Sequence, residues 1–462
     1  MLSFRRRQPP FRIAAVNRAR SSTVAPCIVS RVGLRGVVCL VAILGLLGGG
    51  VFAGTGDSLR KIVVFQTGTS AQLQRQVVTQ SGSQMLNVLP LINGMAIKLP
   101  TQSAEQAMAV LQAHPSVIGV YDDPAVAGQD GGGDNVIVIT PANPPPEEFY
   151  PWGLNAIYVP DVHQEEPGVK GAGVRVAILD TGIDIHHPDL STNIKGGYNA
   201  LAGQDPSNYQ DDNGHGTHMA GIIAARMNRL GVVGAAYQAQ IVAVKVLDQN
   251  GNGILSDLIS GLGWIHANKI KVVNMSLGFF ENHAPLEQAI ERLRQSGVIM
   301  VASAGNHGVT CAQDGGGDDG GGDDGGGDDG GGDSGCQPAQ AGVNYPANYL
   351  GVISVAATNE YGKVTGYSQS GKVDVAAPGG SKSGWRIFST NKGGGYGEGS
   401  GTSQAAAHVT GAIAMAVQKK SQMSFEEVVT LLQWTSRDLG EPLERQGSGL
   451  IDVQAMINAL KR

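Results

Sequence analysis

Short apolar runs recur through the second half of the chain and alternate with helical segments. From Val174 onward the runs read VRVAILD, IVAVKVL, KVVNMSLG, VIMVASAG, VISVAAT and VDVAAPG. Strands that are apolar along their whole length are typical of a parallel sheet covered by helices on both faces. The pattern therefore predicts an α/β domain, which we place at residues 149–462, with its functional residues at strand ends and in neighbouring loops.

A smaller pattern precedes this domain. Residues 57–123 read as strand, helix, two strands, helix and strand, with the two central strands joined at Asn93-Gly94. The order βαββαβ predicts a ferredoxin-like α+β module. Residues 124–148 then form a linker, because the glycines at 131–133 and the prolines at 144–146 disfavour regular structure.

The first 56 residues differ from the rest of the chain in charge and hydropathy. They contain eight arginines and no acidic residue, and an apolar run extends from Val37 to Ala53. This layout predicts an export signal that is cleaved after Ala53, and hence a secreted protein, either extracellular or periplasmic. The alternative is an uncleaved membrane anchor, because 17 apolar residues lie at the lower limit for spanning about 30 Å of hydrocarbon.

Export also affects the cysteines. Two of the four, Cys27 and Cys39, lie in the segment expected to be removed, which leaves Cys311 and Cys336. In an oxidising compartment we expect these two to form a disulfide. They lie in an insert, residues 310–336, that contains four DGGGD units. Its glycines and mutually repelling aspartates predict a disordered surface loop, and the sequence leaves its role open.

The distribution of charge excludes one class of partner. The formal net charge is −6, and subtracting the eight N-terminal arginines leaves −14 for the rest of the chain. No long basic stripe occurs after residue 56. Because a nucleic-acid-binding protein needs a concentrated basic surface, we expect no nucleic-acid partner.

Three short stretches in the α/β region each place a residue suited to catalysis close to one or more glycines. They read VAILDTGID, NGHGTHMAG and GSGTSQAAAH, and contain Asp180, His215 and Ser403 respectively. A serine hydroxyl is almost inert at neutral pH, so it needs a base within hydrogen-bond reach, and that base needs an acceptor to orient it. Ser403, His215 and Asp180 are suited to these three roles. A serine beside a helix N-terminus also has backbone N–H groups near the position where an oxyanion would form.

The three motifs, in the chain order Asp, His, Ser, resemble those of the subtilase family of serine peptidases over roughly residues 60–460. The resemblance implies a monomeric endopeptidase of broad specificity that acts on protein and peptide substrates and is made as a self-processing precursor. It also implies that residues 57–123 are an inhibitor-type propeptide that serves as chaperone and inhibitor. The maturation site is then expected within residues 124–148.

One departure from the family pattern leaves an alternative open. Where the family usually has Met, Ala, Ser, Pro and His after the serine, this chain has Gln404, three alanines and His408. Loss of the proline removes a restraint on φ and restores a backbone N–H group. A catalytically inactive binding protein with the same fold is therefore the alternative function. Among enzymes, the alternative is an esterase that uses the same three residues.

The resemblance assigns further residues around these three. The second oxyanion donor is Asn306, which follows the run VASAG. Two glycine-bearing edges would hold an extended substrate between them as a β-strand; they consist of Gly251, Asn252, Gly253 and of Ser276, Leu277, Gly278. Asn344 lies near the base of the first specificity pocket, whose floor carries no charge. We therefore expect a preference for large uncharged side chains.

A structural calcium site is the last implication of the resemblance. Calcium takes oxygen ligands, and the stretches that match the family's strong site begin nine residues after Asp180 and eleven residues after His215. The expected ligands are the side chains of Asp189, Asn228 and Glu148 and the carbonyl groups of Arg226, Leu230 and Val232. The alternative is an ordinary surface loop.

Overall fold

The computed structural model of the chain describes residues 57–128, 140–145, 147–308 and 342–461. The predicted export signal, both cysteines of the predicted disulfide, the DGGGD insert and the centre of the predicted linker lie outside the described residues. None of the helices within these ranges is long and apolar enough to cross a membrane.

The N-terminal module is a four-stranded antiparallel sheet with two helices on one face. Its elements are β1 (Arg60–Phe65), α1 (Ala71–Gln80), β2 (Gln84–Leu89), β3 (Gly94–Lys98), α2 (Ala104–Ala113) and β4 (Val117–Asp122). The strand order β2-β3-β1-β4 is that of a ferredoxin-like module. Ser70 caps α1 by accepting a hydrogen bond from the backbone N–H of Leu73, and Asn93 adopts a left-handed conformation at the turn into β3.

The other described residues contribute two short strands and a large α/β domain. In chain order the elements are β5 (Ala125–Gly128), β6 (Thr140–Ala142), α3 (Trp152–Ala156), α4 (Val159–Glu165), β7 (Arg175–Asp180), β8 (Ile194–Asn199), α5 (His215–Ala224), β9 (Gln240–Lys245), β10 (Asn252–Ile254), α6 (Leu255–Ala267), β11 (Val272–Met275), β12 (Leu277–Gly278), α7 (Ala284–Gln295), β13 (Ile299–Ser303), β14 (Val352–Thr358), β15 (Val375–Pro378), β16 (Ile387–Asn391), β17 (Gly395–Gly399), α8 (Thr402–Lys419), α9 (Phe425–Thr435), α10 (Leu443–Gln446) and α11 (Val453–Ala459).

A seven-stranded parallel sheet forms the centre of this domain, in the order β15-β14-β13-β11-β7-β9-β8. Successive residues of β7 face opposite sides. Val176 and Ile178 pack in one hydrophobic cluster with α5 and α8, and Ala177 and Leu179 pack in another with α6 and α7. Burial on both faces explains why the strands are apolar along their length. The predicted α/β domain with a covered parallel sheet is confirmed.

The predicted linker contains two strands, which differs from the expectation that it lacks regular structure. Strand β5 pairs with β10 on one side and β12 on the other, and β6 pairs with β17. Their sequences, AVAG and TPA, have little strand propensity of their own. The exposed edges of the larger domain therefore determine their structure, as is common for strands whose preference depends on tertiary context.

The open face of the module's sheet packs against the larger domain. Ile62 and Leu89 share a hydrophobic cluster with Leu258 of α6. Beside this cluster Asp123 is buried and accepts hydrogen bonds from the backbone N–H and hydroxyl of Ser256, at 2.8 and 2.9 Å. Asp123 also pairs with Arg60 at 3.0 Å. A charged group of the module thus contacts the first turn of α6, where the helix dipole favours a negative charge.

Candidate active site

The site begins at the carboxyl end of β7, where a buried aspartate meets a histidine. Asp180 is the last residue of β7, and its Oδ1 lies 2.8 Å from Nδ1 of His215. The same oxygen accepts a hydrogen bond from the backbone N–H of Thr181 at 2.8 Å. His215 is the first residue of α5 and follows Gly214, which has φ of 122°. A glycine is required there because this conformation strains any residue with a Cβ atom.

A second buried aspartate, Asp211, organises the turn that carries His215. Its Oδ1 accepts hydrogen bonds from the hydroxyl of Thr181 at 2.9 Å and the backbone N–H of Gly214 at 2.8 Å. Its Oδ2 accepts one from the N–H of Thr217 at 2.9 Å. Asp211 was not predicted from the sequence. An aspartate shortly before a helix is a recognised start signal and could have indicated it.

Two further histidines, one on α5 and one on α8, pack in the interior of the domain. His218 on α5 and His408 on α8 are fully buried, and burial lowers their pKa values to about 3 and about 4. The Nδ1 atom of His408 lies 2.8 Å from the carbonyl oxygen of Gln404. Both imidazoles are therefore neutral at physiological pH. Of the three, His215 is the one that contacts a carboxylate.

Ser403 lies at the start of a long helix that is buried over most of its length. It is the second residue of α8, whose residues Thr402–Val417 are all buried. Its hydroxyl makes no hydrogen bond with the residues that the structure describes. Its carbonyl oxygen accepts a hydrogen bond from the hydroxyl of Ser276 at 3.1 Å, and Ser276 in turn accepts one from Asn274 at 3.0 Å. These contacts fix the backbone of Ser403, while its hydroxyl has no hydrogen-bond partner among the described residues.

Asn306 lies three residues beyond the end of β13 and is oriented by Thr402. Its Oδ1 accepts hydrogen bonds from both the backbone N–H and the hydroxyl of Thr402, each at 2.9 Å. Since a backbone N–H can only donate, this contact fixes the oxygen and directs Nδ2 the other way. Nδ2 is buried and has no partner within the described ranges. A preorganised donor thus lies next to the residue that precedes Ser403.

The two predicted substrate edges are occupied by β5. Asn252 and Gly253 of β10 pair with Ala127 and Val126, and on the other side Leu277 and Gly278 of β12 pair with Gly128 and Ala127. Both pairings are antiparallel. Gly251 has φ of 77° at the turn before β10. The chain segment that follows the module therefore lies as a central strand between the edges expected to hold substrate.

Backbone hydrogen bonds join the stretches around the predicted specificity pocket. The N–H of Asn344 donates to the carbonyl oxygen of Ala304 at 2.9 Å. Phe279 and Tyr345 exchange two hydrogen bonds, of 2.8 and 2.9 Å. Asn344 is buried and lies between the segment after β12 and the segment that leads to Asn306.

The predicted calcium ligands lie in one oxygen-rich cluster. Asp189 is fully buried and accepts hydrogen bonds from Nδ2 of Asn228 at 3.0 Å and the N–H of Val232 at 3.1 Å. Oε1 of Glu148 accepts hydrogen bonds from the N–H of Asn228 at 2.5 Å and of Arg229 at 2.7 Å. Two backbone N–H groups complete the contacts of the cluster. Arg226 donates to the carbonyl oxygen of Asp189, and Leu230 donates to Oδ1 of Asn228.

Two carboxylates share this cluster without a basic partner. Burial raises the pKa of Asp189 to about 6, and the nearby Glu148 carboxylate adds to the shift. Neither forms a salt bridge within the described part of the chain. No group of three or more His, Cys, Asp or Glu side chains there is arranged to hold a metal. A cation at this place would rely on amide and carbonyl oxygens as well as carboxylates, which is the donor set that calcium prefers.

Comparisons with known proteins identify the family. Residues 171–449 match the profile described as Peptidase_S8, subtilase family. The chain is 33% identical over 408 residues to subtilisin E of Bacillus subtilis (strain 168), which covers 87% of this chain and 92% of that protein. It is 37% identical over 306 residues to subtilisin BL of Lederbergia lenta, which covers 66% and 97%. The chain therefore belongs to the subtilase family and is a serine-type endopeptidase.

Proposed function

We propose that Ser403 is the nucleophile of this endopeptidase, that His215 is its general base and that Asp180 orients the base. Ser403 Oγ attacks the carbonyl carbon of the scissile bond while Nε2 of His215 takes the hydroxyl proton and then gives it to the leaving amine. Water then repeats the sequence on the acyl-enzyme. The buried contact of 2.8 Å between His215 and Asp180 carries the proposal, because it holds a proton on Nδ1 and leaves Nε2 as the acceptor.

The oxyanion of the tetrahedral intermediate is proposed to bind between two donors. One is Nδ2 of Asn306, which is buried and has no partner among the described residues. The other is the backbone N–H of Ser403, because the first N–H groups of a helix have no acceptor within the helix. Such donors act strongly because they are already in place when the charge develops.

Hydrolysis of casein by two serine variants tests these roles. Ser403→Ala should lower kcat by at least about a thousandfold, because the nucleophile and base act as a unit. Ser400→Ala is the matched control. Its hydroxyl donates to the carbonyl of Ser381 at 3.0 Å and has no role in the proposed reaction, so most activity should remain. A Ser403→Ala enzyme that keeps its activity would remove Ser403 from the mechanism.

We further propose that the N-terminal module is a propeptide that assists folding and inhibits the enzyme until it is removed. The position of β5 between β10 and β12 supports inhibition, since a substrate strand needs the same edges. The contact of Asp123 with Ser256 supports a role in folding, because it stabilises the first turn of α6. Removal of the module would require cleavage within residues 124–148.

Calcium is proposed as a structural cofactor. The cluster around Asp189 fits this ion, because the carboxylates of Asp189 and Glu148 accept hydrogen bonds from amide groups only or from amide and hydroxyl groups, and the loop's carbonyl groups offer further oxygen ligands. Asp189, Asn228 and Glu148 would bind through their side chains, and Arg226, Leu230 and Val232 through their carbonyl groups. A bound ion would neutralise the buried charge and hold the loop after α5 against the segment that precedes α3.

The N-terminal sequence and the two cysteines of the insert bear on the compartment in which the enzyme acts. We propose that it is secreted as a monomer, that Cys311 and Cys336 form a disulfide, and that its substrates are proteins and peptides. The basic and apolar N-terminal sequence supports export. Secretion in turn supports the disulfide, because an oxidising compartment favours pairing of the two cysteines that remain.

A further inference from the structure

The side-chain amides of Gln369 and Asn344 both lie close to Gly305, the residue before Asn306. Gln369 is 2% exposed, and its Nε2 donates to the carbonyl oxygen of Gly342 at 2.8 Å. Its Oε1 is therefore the atom that faces Gly305. A Cβ atom on Gly305 would overlap this Oε1 and would lie 3.0 Å from Cγ of Asn344. A glycine at this position thus leaves room for both amides.

Both amides retain hydrogen-bonding capacity. Oε1 of Gln369 is buried and accepts no hydrogen bond from any residue that the structure describes. The side chain of Asn344, 5% exposed, forms none with those residues either. Buried polar groups in native proteins almost always have partners. The unpartnered Oε1 of Gln369, together with the nearby amide of Asn344, therefore points to a ligand that supplies both a donor and an acceptor.

The register of β5 indicates which substrate residue reaches these amides. Gly128 pairs with Leu277, so in a peptide bound the same way the next residue lies opposite Ser276. The hydroxyl of Ser276 donates to the carbonyl of Ser403 at 3.1 Å, which puts that substrate residue beside the proposed nucleophile. Its carbonyl carbon is then the one attacked, and its side chain enters the pocket that contains Asn344.

We infer that this pocket selects substrates with a carboxamide side chain, glutamine or asparagine, on the carbonyl side of the cleaved bond. The inference rests on the proposed endopeptidase function and names its substrate class. A carboxamide donates from its NH2 group to Oε1 of Gln369 and accepts from the amide of Asn344. A carboxylate lacks the donor, an aliphatic side chain lacks both groups, and a cationic side chain finds no carboxylate in this pair.

The chain's own sequence agrees with this preference. Gly128 is followed by Gln129 and Asp130, which lie outside the described residues. If the chain cleaves itself in the register of β5, the first cut falls between these two residues. This bond lies within the segment expected to contain the maturation site. A carboxamide thus occurs in the sequence at the position that the register selects.

Four fluorogenic peptides that differ only in the residue before the cleaved bond test the inference on the secreted enzyme. The residues are Gln, Leu, Glu and Lys. The kcat/KM for Gln should exceed that for Leu by at least about tenfold, because a site built to hydrogen-bond a substrate rejects an analogue that leaves its polar groups unpaired. Glu and Lys should also be cleaved more slowly than Gln. Equal or faster cleavage after Leu would overturn the inference.

Two asparagine variants locate the preference. Asn344→Leu keeps the side-chain volume but removes the amide, so the ratio of the Gln to the Leu rate should fall roughly tenfold or more. Cleavage after Leu then shows that the variant is folded. Asn348→Leu makes the same change four residues further along the chain. It should leave the ratio of the Gln to the Leu rate unchanged. An unchanged ratio in Asn344→Leu would contradict the role of this residue.

The outcomes separate this inference from the proposed function. If the enzyme reacts with neither a fluorophosphonate nor any of the peptides, the proposed function fails. If it cleaves peptides but prefers Leu, only the inference fails. In self-processing of the full chain, the earliest large fragment should begin at Asp130, and Gln129→Leu should delay it while Gln129→Asn should not. A first cut elsewhere, with normal peptide hydrolysis, would contradict the inference alone.

Discussion

Contacts with one residue, Thr402, fix the orientation of Asn306, the proposed oxyanion donor. Thr402 donates twice to its Oδ1, and the hydroxyl of Thr402 also accepts a hydrogen bond from the N–H of Gly305 at 3.1 Å. The threonine therefore connects the end of β13 to the start of α8. It sets both the rotation of the Asn306 amide and the separation of the two proposed oxyanion donors.

Replacement of Thr402 by valine should separate orientation from binding. Thr402→Val keeps the shape and the backbone donor but removes the hydroxyl, so kcat should fall roughly tenfold with KM little changed, the loss expected for one hydrogen bond. Asn306→Leu should cost about 100- to 1,000-fold, a range that comes from an enzyme of this family and not from this chain. Steady-state kinetics on one peptide substrate measures both effects.

An exposed threonine provides the control for this comparison. Thr430→Val makes the same change at an exposed position on α9, a helix that follows α8 in the chain. It should leave kcat and KM unchanged. If Thr402→Val raised KM and left kcat intact, Thr402 would contribute to substrate binding and not to orientation of the oxyanion donor.

At this scale the sequence indicated the three residues proposed to react but not those that position them. Asp180, His215 and Ser403 each lie in a recognisable motif close to glycine residues. Thr402 was missed because its partner lies 96 residues away in the chain, and no local pattern reports such a contact. Asp211 was missed although it precedes a helix, because its importance comes from burial and from the number of donors that converge on it.

Among the elements, strand β8 marks the limit of what hydrophobic pattern can predict. Its sequence IKGGYN is only partly buried, and it lies at the edge of the sheet, where it pairs with β9 alone. The other six strands of this sheet are mostly apolar and were predicted from the sequence. An edge strand has one partner and one exposed side, so its residues need not be apolar, and the two glycines weaken its propensity further.

The interface between α6 and the module contains a carboxyl group that should respond to pH. Asp257 in the first turn of α6 is buried, and burial raises its pKa to about 7. The facing Asp123 raises the pKa further and the facing Arg60 lowers it. The backbone N–H of Ala202 donates to Oδ2 at 3.3 Å. The folded chain therefore holds a proton on Asp257 at a pH where the unfolded chain has lost it.

This shift should make the full-length chain less stable as pH rises. Because the folded-state pKa is raised, the contribution of Asp257 is fully present below about pH 4 and is lost as pH passes through about 7, at about 1.4 kcal/mol for each pKa unit. Denaturant unfolding of full-length Ser403→Ala protein at pH 5 and pH 8 measures the loss. Adding Asp257→Asn should make the difference between the two pH values smaller.

An exposed aspartate distinguishes this local effect from a general change in charge. Asp205→Asn in the same background should leave the difference between pH 5 and pH 8 close to that of the parent, because Asp205 is exposed. If Asp205→Asn and Asp257→Asn changed the pH dependence equally, the burial of Asp257 would not be its cause.

Considered as a whole, the molecule should depend on calcium for stability. A ligand that binds only the folded state adds about 2.7 kcal/mol at a hundredfold excess over Kd. In the inactive Ser403→Ala background, which prevents self-digestion, chelation should lower Tm by several degrees. Asp189→Ala should lower Tm and also abolish the response to calcium. Asp205→Ala should keep the full response, and a calcium response retained in Asp189→Ala would exclude Asp189 as a ligand.

The overall architecture was largely predictable, and the placement of its connections was not. Continuous apolar strands specify a sheet buried on both faces, which is the reason the α/β domain could be assigned from the chain alone. The docking of the module on α6, and of β5 between β10 and β12, depends on surfaces built from segments that are far apart in the chain. A linker rich in glycine and proline carries no local signal for such pairing.

The activation of Ser403 by His215 and Asp180, as proposed above, is tested most directly by reaction with a fluorophosphonate, followed by mass spectrometry of the digested protein. The label should be found on Ser403, and His215→Ala should prevent labelling, because the hydroxyl then has no base. Ser400→Ala should label normally. A label on another residue, or labelling of Ser403 that persists in His215→Ala, would contradict this account of the active site.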